Sequence, residues 1–564
     1  MFPFQIRQPR YHSLIPLITL GLSCSLSSQA LFADVTTGVM LNQFQSQFPT
    51  IYLPSVGEVD RRRFKLPDAT SGDPSLYVKG FEFTGVSSID IKYLHQAFSP
   101  FEERAFTPKQ LLELTDLITD TYRQHDIAAM ARIPPQDAKN GTIVFEIHES
   151  NFVGAILDHG FEDHFNVSLE RVEAVASLPG SEGAPLILSE RERQQLLTID
   201  MHGISVSGGL QANDDGDQEL ELWIENSDRF SGSIDLNNQG LNGTGEEQAV
   251  LTSMLSSPFQ RGGAGYLNAI NSTQSQFLSM AYRGPIGLRG TTLDLQAGRL
   301  SVDTDSKRHQ SISYSLGVRH PLIRTLGSNL FLSGIAEQRL LEESSIINNS
   351  SLTDSDYEVN TLRLTLDGNR ALHKDRLTYR LQTTLGNTDL EGSPNRGHDL
   401  ANANTAGAFK TFSGFLTYRK RLADNWQVLT HLQGQMSPKN LDDSQRLIAG
   451  GSQGLRGFSA DELIVDQGAL VRVDIIKRLN DQWRFGGFID WAKLERRSNN
   501  TDINGSPLES HNRISAYDWG VASSYRVHES LQFDLSVAQA LSNTQGVNTE
   551  QGDLTTLLNL KWEF

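Results

Sequence analysis

Cysteine, net positive charge and long apolar runs are all scarce in this 564-residue sequence, and each shortage excludes a class of protein. The single cysteine, Cys24, lies in a stretch typical of a cleaved leader. We therefore predict a cysteine-free mature chain without disulfides, thiol nucleophiles or zinc–thiolate sites. No segment after residue 30 approaches the ~20 apolar residues of a membrane-spanning helix. The 67 acidic and 49 basic residues give a net charge of −18, which argues against a nucleic-acid partner because phosphate binding needs a basic surface.

The first 30 residues have the pattern of a secretory signal. Arg7 and Arg10 supply positive charge, Leu14–Leu26 forms an apolar run of 13 residues, and Ser28–Ala30 offers small residues for cleavage. We therefore predict that the protein leaves the cytoplasm.

Residues 31–74 form a separate N-terminal segment. Within it, Val39–Phe48 predicts a short amphipathic helix. The stretch Leu66–Pro74 is rich in proline, aspartate, serine and glycine, which is typical of a linker.

Residues 75–150 predict a small α/β module. Tyr77–Thr84 alternates apolar and polar residues and stops at Gly85, as a strand does. Thr107–Gln110 is a capping box with proline at the first helical position, and apolar residues follow it at helical spacing. Two further strands are expected at Ala128–Ile133 and Thr142–Ile147.

Residues 151–228 repeat this order, so we predict two β-α-α-β-β modules in tandem. The acidic turn Asn213–Asp217 resembles a calcium loop but lacks its spacing and terminal glutamate, so a hairpin turn is favoured and no metal site is predicted. The expected elements are a strand at Phe152–Leu157, a helix at Ser168–Leu178, a capping box at Ser189–Glu192, and strands at Ile204–Leu210 and Glu219–Ile224.

Residues 229–564 lose the helical period and predict sixteen short strands, about 21 residues for each strand with its connection. A transmembrane β-strand needs ~9–11 residues, which leaves a similar length for turns. Short and long connections alternate, as a transmembrane barrel requires and a soluble sandwich does not. The long, polar connections are Glu337–Asn360, Gly386–Ala408, Gln435–Gln467 and Glu495–Arg513. The sequence thus predicts α+β modules followed by a 16-stranded antiparallel transmembrane β-barrel.

The C-terminal strand gives a second argument for a barrel in lipid. Most of its apolar residues fall on one face and its polar residues on the other, the dyad pattern of a lipid face and an aqueous lumen. Thr556, Leu558, Leu560, Trp562 and Phe564 share one face, and Asn559, Lys561 and Glu563 share the other.

The sixth outward loop carries a glycine-rich motif, Gly450–Phe458. It matches the G-x-S-x-G nucleophile elbow, but that elbow needs a strand-to-helix turn that is not predicted here, so a serine hydrolase is disfavoured. The alternative is a loop tip that places Arg456 inside the lumen, where it needs a carboxylate partner. Asp490 on the thirteenth strand is the candidate, and an inward Asp490 puts Phe488 in the lumen too.

Together these features resemble the two-partner secretion transporters of Gram-negative outer membranes, the haemolysin-activator and filamentous-haemagglutinin-exporter family. The resemblance covers nearly all of the mature chain and rests on the signal, the two modules of polypeptide-transport-associated type, the sixteen strands, Leu455-Arg456-Gly457-Phe458, Phe488-Ile489-Asp490 and the C-terminal phenylalanine. The family usually has valine where Leu455 stands. The resemblance implies that Arg456 and Asp490 pair inside the pore, that Trp562 and Phe564 belong to a strand read by the barrel-assembly machinery, and that an N-terminal helix plugs the pore.

The function implied is passive export of a partner exoprotein of haemolysin or adhesin type, without cofactor, from a barrel in outer-membrane lipid. The periplasmic modules would capture the unfolded exoprotein by β-augmentation beside the second helix. The apolar residues of this groove are equally well explained as ordinary core residues of the module. The groove residues would be Leu111, Leu114, Ala128, Met130 and Arg132.

Three alternatives stay open on the sequence. A barrel-assembly insertase would keep the architecture but usually has more modules. An uptake receptor would need a folded plug domain. A simple porin would lack the two modules. An enzyme is disfavoured because no inward Ser/His/acid set can be assembled from the fourteen histidines.

Overall fold

A computed structural model describes residues 36–47, 53–54, 66, 75–160, 164–178, 185–213, 216–242, 245–347 and 350–564. The predicted secretory signal and almost all of the predicted linker lie outside the described residues. Among the residues described, no helix combines the length and the apolar character needed to cross a bilayer.

The first described element is helix α1, Thr37–Ser46, which overlaps the predicted Val39–Phe48. The Thr36 side chain caps its N-terminus by accepting a hydrogen bond from the backbone N–H of Val39. Its apolar side chains are almost completely buried, although the helix has only ten residues. A helix this short is marginal alone, so packing must hold it.

Residues 75–150 fold as the first module, around the three-stranded sheet β2–β5–β4. The predicted capping box is present, with Thr107 and Gln110 each bonding the other's backbone N–H. The elements are β1 Leu76–Val78, β2 Gly80–Thr84, α2 Lys92–Phe98, β3 Arg104–Phe106, α3 Pro108–Gln124, β4 Ala129–Arg132 and β5 Thr142–Glu149.

The second module repeats this arrangement in the sheet β6–β8–β7. In both modules the first sheet strand runs parallel to the last, and the strand before the last is antiparallel to it. The tandem repeat inferred from the sequence therefore has a structural counterpart. The elements are β6 Phe152–Asp158, α4 Leu169–Ala176, α5 Leu188–Ile199, β7 Ile204–Ala212 and β8 Gln218–Asn226.

The predicted capping box at Ser189–Glu192 is wrong. Helix α5 begins two residues earlier than this box implies, at Leu188, with Ile187 as its N-cap and no side-chain cap. The Ser189 side chain instead bonds Asp126 of the first module, and Glu192 accepts a hydrogen bond of 2.6 Å from the Leu326 N–H in a barrel turn. These tertiary contacts use the Ser189 and Glu192 side chains, so neither side chain caps the helix.

The rest of the described chain is a closed barrel of sixteen antiparallel strands, as predicted. Each strand pairs with its neighbour, and the last closes the ring on the first. The strands are β9 Phe230–Asn237, β10 Gln248–Ser256, β11 Ala264–Ser272, β12 Ser275–Ile286, β13 Thr291–Asp303, β14 Lys307–Arg324, β15 Ser328–Ile347, β16 Ser350–Leu372, β17 Asp375–Asp389, β18 Gly407–Ala423, β19 Trp426–Met436, β22 Gln467–Arg478, β23 Trp483–Glu495, β24 Arg513–His528, β25 Leu531–Ala540 and β26 Leu554–Glu563. The outward loops add helix α6, Arg396–Ala401, and the short strands β20 Leu447–Ile448 and β21 Ile464–Val465.

The predicted long loop Glu337–Asn360 is instead mostly strand. Strands β15 and β16 run 20 and 23 residues and extend far beyond the length needed to span a bilayer. Outside lipid, an antiparallel strand can expose polar residues on one face while the other face packs. Here Leu341 and Val359 are buried against Leu441 of the sixth loop. The polar composition, which is typical of a loop, therefore belongs to a protruding hairpin.

The alternation predicted for the last strand is present in β26. Leu558, Leu560 and Trp562 are exposed on the outer face, whereas the intervening residues face the lumen, where Asn559 bonds Asp235. The seam with β9 is extended by two backbone hydrogen bonds between Gly232 and Phe564, of 2.9 and 3.0 Å.

Candidate functional site

The sixth outward loop, residues 437–466 and here called loop 6, folds back into the barrel. Its tip is anchored by apolar contacts, because Leu455 and Phe458 are completely buried in a cluster with wall residues. Leu470, Ala492 and Ile514 supply the wall side of that cluster. The predicted pore residues of the motif are therefore interior residues.

Arg456 and Asp490 are brought together by this anchoring. The guanidinium forms a bidentate pair with the carboxylate, Nε to Oδ2 at 2.8 Å and Nη2 to Oδ1 at 2.7 Å. The backbone N–H of Arg456 also lies 3.3 Å from Asp490 Oδ2. Asp490 is completely buried and Arg456 is 7% exposed, so the pair is removed from water, where charge-assisted bonds are strong.

Phe488 shares the inward face with Asp490, as strand parity requires. Its ring centroid lies 3.4 Å from the guanidinium carbon of Arg456, a cation–π contact. The aromatic ring therefore covers one face of the arginine while Asp490 holds its edge.

Two further carboxylates complete what we call the loop 6 cluster: Arg456, Asp474, Asp490 and Asp518. Asp474 on β22 accepts from Arg456 Nη1 at 2.7 Å. Asp518 on β24 lies directly opposite Asp490 and accepts from the backbone N–H of Gly457 at 3.0 Å. A Cβ at position 457 would stand 2.7 Å from the Asp518 Cβ, so only glycine allows this approach. Neither carboxylate was predicted from the sequence, although each is an acidic residue within a strand.

Helix α1 lies inside the barrel in its outer half. Val39, Met40, Leu41 and Phe44 pack against inward residues at the outer ends of strands β10 to β13 and against Ile464 of loop 6. This position is consistent with the N-terminal plug helix that the resemblance implies.

Polar contacts tie α1 to loop 6 and to the wall. Thr36 donates to Asp443 at 2.8 Å and Asn42 donates to the Arg446 carbonyl at 2.7 Å, both in loop 6. Arg339 on β15 donates to Gln45 at 2.8 Å. Helix α1 and loop 6 thus form one connected body within the lumen.

The predicted capture residues of the first module divide into two groups. Leu111 and Leu114 are core residues, 8% and 0% exposed, so their assignment to an open groove is wrong for this conformation. They lie on the face of α3 that packs into the module core, which accounts for their helical spacing. The Ala128 N–H donates to Leu186 at the junction with the second module. Met130 is 46% exposed on the edge strand β4, beside Arg132.

Arg132 on β4 pairs with Glu146 on the adjacent strand β5. Both guanidinium–carboxylate hydrogen bonds measure 3.0 Å. The pair is solvent-exposed, and its main effect is to hold the Arg132 side chain over its own sheet.

A carboxylate of the first module has a strongly perturbed pKa. Burial raises the pKa of Glu149, but hydrogen bonds from the hydroxyls and backbone N–H groups of Ser87 and Ser88 outweigh it and lower the pKa to about 2. Tyr122 also donates to Glu149, at 2.8 Å, and burial raises the pKa of that phenol. The cluster joins the loop after β2 to α3 and the end of β5.

The predicted assembly residues lie at the barrel seam. Trp562 is 42% exposed on the outer face, and the Phe564 ring stacks on Phe230 with centroids 5.6 Å apart. Their recognition by assembly machinery stays a prediction.

A closed sixteen-stranded barrel, two α/β modules at its N-terminal side and an arginine-anchored inward loop define a class, the outer-membrane transporters with periplasmic polypeptide-transport-associated (POTRA) modules. Residues 216–491 match the family model described as "Haemolysin secretion/activation protein ShlB/FhaC/HecB", and residues 76–150 match a POTRA domain of ShlB type. The chain belongs to this family of two-partner secretion transporters. Its barrel therefore lies in the outer membrane and its modules in the periplasm, and the family is one of transporters, not of enzymes.

Individual relatives support this assignment. The heme/hemopexin transporter protein HuxB of Haemophilus influenzae is 25% identical over 491 residues, covering 83% of this chain and 84% of HuxB. CdiB from Escherichia coli has a similar structure, with a TM-score of 0.66 at 16% identity over 88% of this chain and 92% of CdiB. CdiB from Acinetobacter baumannii gives 0.62 at 14% identity, over 93% and 96%.

The insertase fold is a more distant match. BamA from Haemophilus ducreyi, in a structure lacking POTRA domains 1–3, gives a TM-score of 0.51 at 12% identity, covering 87% of this chain and all of that one. This similarity concerns the fold alone. The comparisons therefore favour the exporter over the barrel-assembly insertase among the alternatives left open by the sequence.

Proposed function

We propose that this chain captures an unfolded exoprotein of haemolysin or adhesin type in the periplasm and exports it through a pore that α1 and loop 6 close. The observation that carries the proposal is the joint filling of the lumen by these two segments, with loop 6 held to the wall by the pairing of Arg456 with Asp490. A chain can pass only when both segments move.

Capture begins at the exposed edge of the first module. Strand β4 is the last strand of the sheet β2–β5–β4, so an extended segment of the exoprotein adds beside it by backbone hydrogen bonds. Met130 and Arg132 are the side chains along this edge that an added strand meets first. Leu111 and Leu114 stabilise the module beneath it.

Opening requires the loop 6 cluster to rearrange. Arg456 neutralises the buried Asp490 on β23 and the partly buried Asp474 on β22, so loop 6 leaves only if cargo or water replaces these interactions. Separating the partners of a buried ion pair costs several kcal/mol. This cost keeps the pore closed when no cargo is present. Helix α1 follows because it is bonded to loop 6 through Thr36 and Asn42.

Biogenesis involves two other partners, outer-membrane lipid and the barrel-assembly machinery. The outward apolar side chains of β26 suit a lipid environment, and Trp562 and Phe564 end the strand that closes the barrel. We propose that this strand carries the assembly signal.

The deciding experiment compares the proteins of the culture supernatant and the outer membrane in cells with the gene intact, deleted, or carrying Arg456→Ala. We expect the deletion and Arg456→Ala to remove one or two large exoproteins from the supernatant and to leave other barrels unchanged. Arg513→Ala is the matched control, since it breaks an exposed arginine–carboxylate pair on the same barrel.

The same data separate the alternatives. Broad depletion of other outer-membrane barrels would instead identify an insertase. Unchanged supernatant and membrane fractions would contradict export and favour an uptake channel.

A further inference from the structure

A line of hydrogen bonds runs from the second module through the barrel wall to the N-terminal segment at the periplasmic entrance. Asp200 at the end of α5 forms a bidentate pair with Arg324, Nε to Oδ2 at 2.7 Å and Nη2 to Oδ1 at 2.8 Å. Arg324 Nη1 donates to Asn329 Oδ1 at 3.0 Å, and Asn329 Nδ2 donates to Asn369 Oδ1 at 2.8 Å. Asn369 Nδ2 then donates to the backbone carbonyl of Pro54 at 2.8 Å.

The direction of these bonds is set by chemistry. Arginine has only donors, so the Asn329 oxygen must face Arg324 and its amide N–H groups must point onward. Asn369 accepts from Asn329 and is left with its own N–H group directed into the lumen. The two asparagines are buried, 0% and 5% exposed, and lie opposite each other on β15 and β16. The result is a fixed amide donor on the inner wall.

The ligand of this donor is a main-chain carbonyl, not a side chain. Asn329 Nδ2 also lies 3.5 Å from the same Pro54 oxygen, so both amides point toward it. Every residue of a polypeptide has such a carbonyl, and an extended strand repeats it at about 3.3 Å per residue. A donor of this kind binds a chain regardless of its sequence, as an export pore requires.

The location is the entrance that an incoming chain reaches first. Arg324, Asn329 and Asn369 lie beside periplasmic turns of the barrel, and Asp200 belongs to the module docked there. A cavity of about 360 Å³ adjoins Pro54, between α5 and the barrel mouth, with Leu197, Met201 and Phe331 among its lining. Space for a second peptide segment is therefore present next to the donor.

We propose that Asn369, oriented by Asn329 and Arg324, is a backbone-binding site for the translocating polypeptide, and that the Pro54 carbonyl occupies it until cargo arrives. The chain's own N-terminal segment is then a competitor for the first lumenal contact of the cargo. Asn329 and Arg324 are positioning residues, since they act through Asn369. This inference rests on the proposed export function.

The first test uses the full-length chain carrying Asn369→Asp, which keeps the acceptor for Asn329 but removes the N–H donor. We expect the conductance of the purified protein in planar lipid bilayers to rise without cargo, because the Pro54 contact is lost. We expect export of the exoprotein to fall about fivefold, the effect of one hydrogen bond of about 1 kcal/mol. Asn369→Gln, which keeps an amide donor, should restore part of the export.

The controls separate a cargo contact from a purely structural one. Asn268→Asp changes another buried asparagine of the barrel, on β11, and should alter neither readout. If Asn369→Asp raises conductance while export stays normal, Asn369 holds only the N-terminal segment and the proposal is overturned.

A second measurement does not depend on how well a charged variant folds. The predicted absence of cysteine from the mature chain allows Asn369→Cys to be paired with single cysteines introduced along the exoprotein found in the supernatant comparison. We expect disulfide-linked export intermediates from Asn369→Cys and not from Asn268→Cys. Equal or absent linkage at both positions, in cells where the unmodified transporter secretes normally, would overturn this inference and leave the export function standing. Absence of secretion by the unmodified transporter would overturn both.

Discussion

Two arginine–aspartate pairs inside this barrel have nearly the same chemistry and different positions. The loop pair, Arg456 and Asp490, joins loop 6 to the wall, whereas the wall pair, Arg319 and Asp367, joins β14 to β16 across β15. The wall pair is also bidentate, at 2.7 and 2.8 Å, and its aspartate is also completely buried. Arg319 stacks on Phe331 at 4.0 Å, as Arg456 stacks on Phe488 at 3.4 Å.

The comparison shows that chemistry alone does not assign a role to a buried ion pair. Both partners of the wall pair sit on strands fixed by the hydrogen-bond ladder, so that pair can only support the wall. One partner of the loop pair sits on a segment that can move without breaking the barrel. The loop pair is a candidate for gating because Arg456 lies on loop 6 and not on a strand of the barrel wall.

The largest effect is expected from Arg456→Gln. The substitution removes the bidentate partner of Asp490 and the partner of Asp474, and it leaves Asp490 with the longer contact to Arg472 Nε at 3.9 Å. Breaking a buried pair costs about 3–5 kcal/mol. Because this cost falls on loop 6, the amide hydrogens of residues 450–458 should exchange over a hundredfold faster (about 3 kcal/mol or more) while the strands stay protected. Hydrogen exchange by mass spectrometry measures this, and unchanged exchange in loop 6 would remove the distinction between the two pairs.

Arg319→Gln should act on the whole barrel instead. Its removal leaves the buried Asp367 unpaired, so the free energy of unfolding should fall by about 3 kcal/mol. Urea unfolding in detergent gives that value. Loop 6 should exchange as in the unmodified protein, and acceleration there equal to that of Arg456→Gln would show that the pairs are coupled.

Leu41→Ala sharpens the comparison by testing a segment held by apolar contacts. Leu41 is fully buried on α1, and truncation of a buried leucine costs about 2–5 kcal/mol. We expect faster exchange in α1 and higher conductance in bilayers, with barrel stability unchanged. Loss of barrel stability would mean that α1 is part of the barrel core and not a removable segment.

The smallest effect is expected at Glu149, a carboxylate held by hydrogen bonds from two serines and not by an arginine. Its pKa of about 2 in the folded module lies below the ordinary 4.5, so the ionised group stabilises the module above pH 4.5. That stabilisation is lost as the pH falls from 4.5 toward 2. Amide exchange near Ser87 should therefore accelerate over this interval in the unmodified chain and be independent of pH there in Glu149→Gln, after correction for intrinsic exchange. An identical pH profile in both would contradict the assignment.

The sequence allowed the barrel to be predicted because loop length and strand parity are local patterns. Arg456 and Asp490 were found because a glycine-rich motif drew attention to one of them. Asp518 was missed although it pairs directly opposite Asp490, since strand register cannot be read to within one residue from a single sequence.

Other features had no local signal, or a local signal that did not determine the contacts. Arg319 and Asp367 are 48 residues apart, and neither lies in a motif. Ser189 and Glu192 had the spacing of a cap, but contacts to another module and to a barrel turn took precedence. The periods that placed Leu111 and Leu114 on one face of α3 could not distinguish the module core from an open groove.

The closure of the barrel restricts how α1 can leave it. A ring of sixteen strands hydrogen-bonded from β9 round to β26 has no lateral opening, so a helix about 15 Å long must move parallel to the barrel axis. Pro54, eight residues after the helix in the chain, lies at the periplasmic mouth, beside Asn369. Under the proposed export function the cargo enters by this same mouth, so a helix withdrawn toward the periplasm would have to clear it before the cargo could enter.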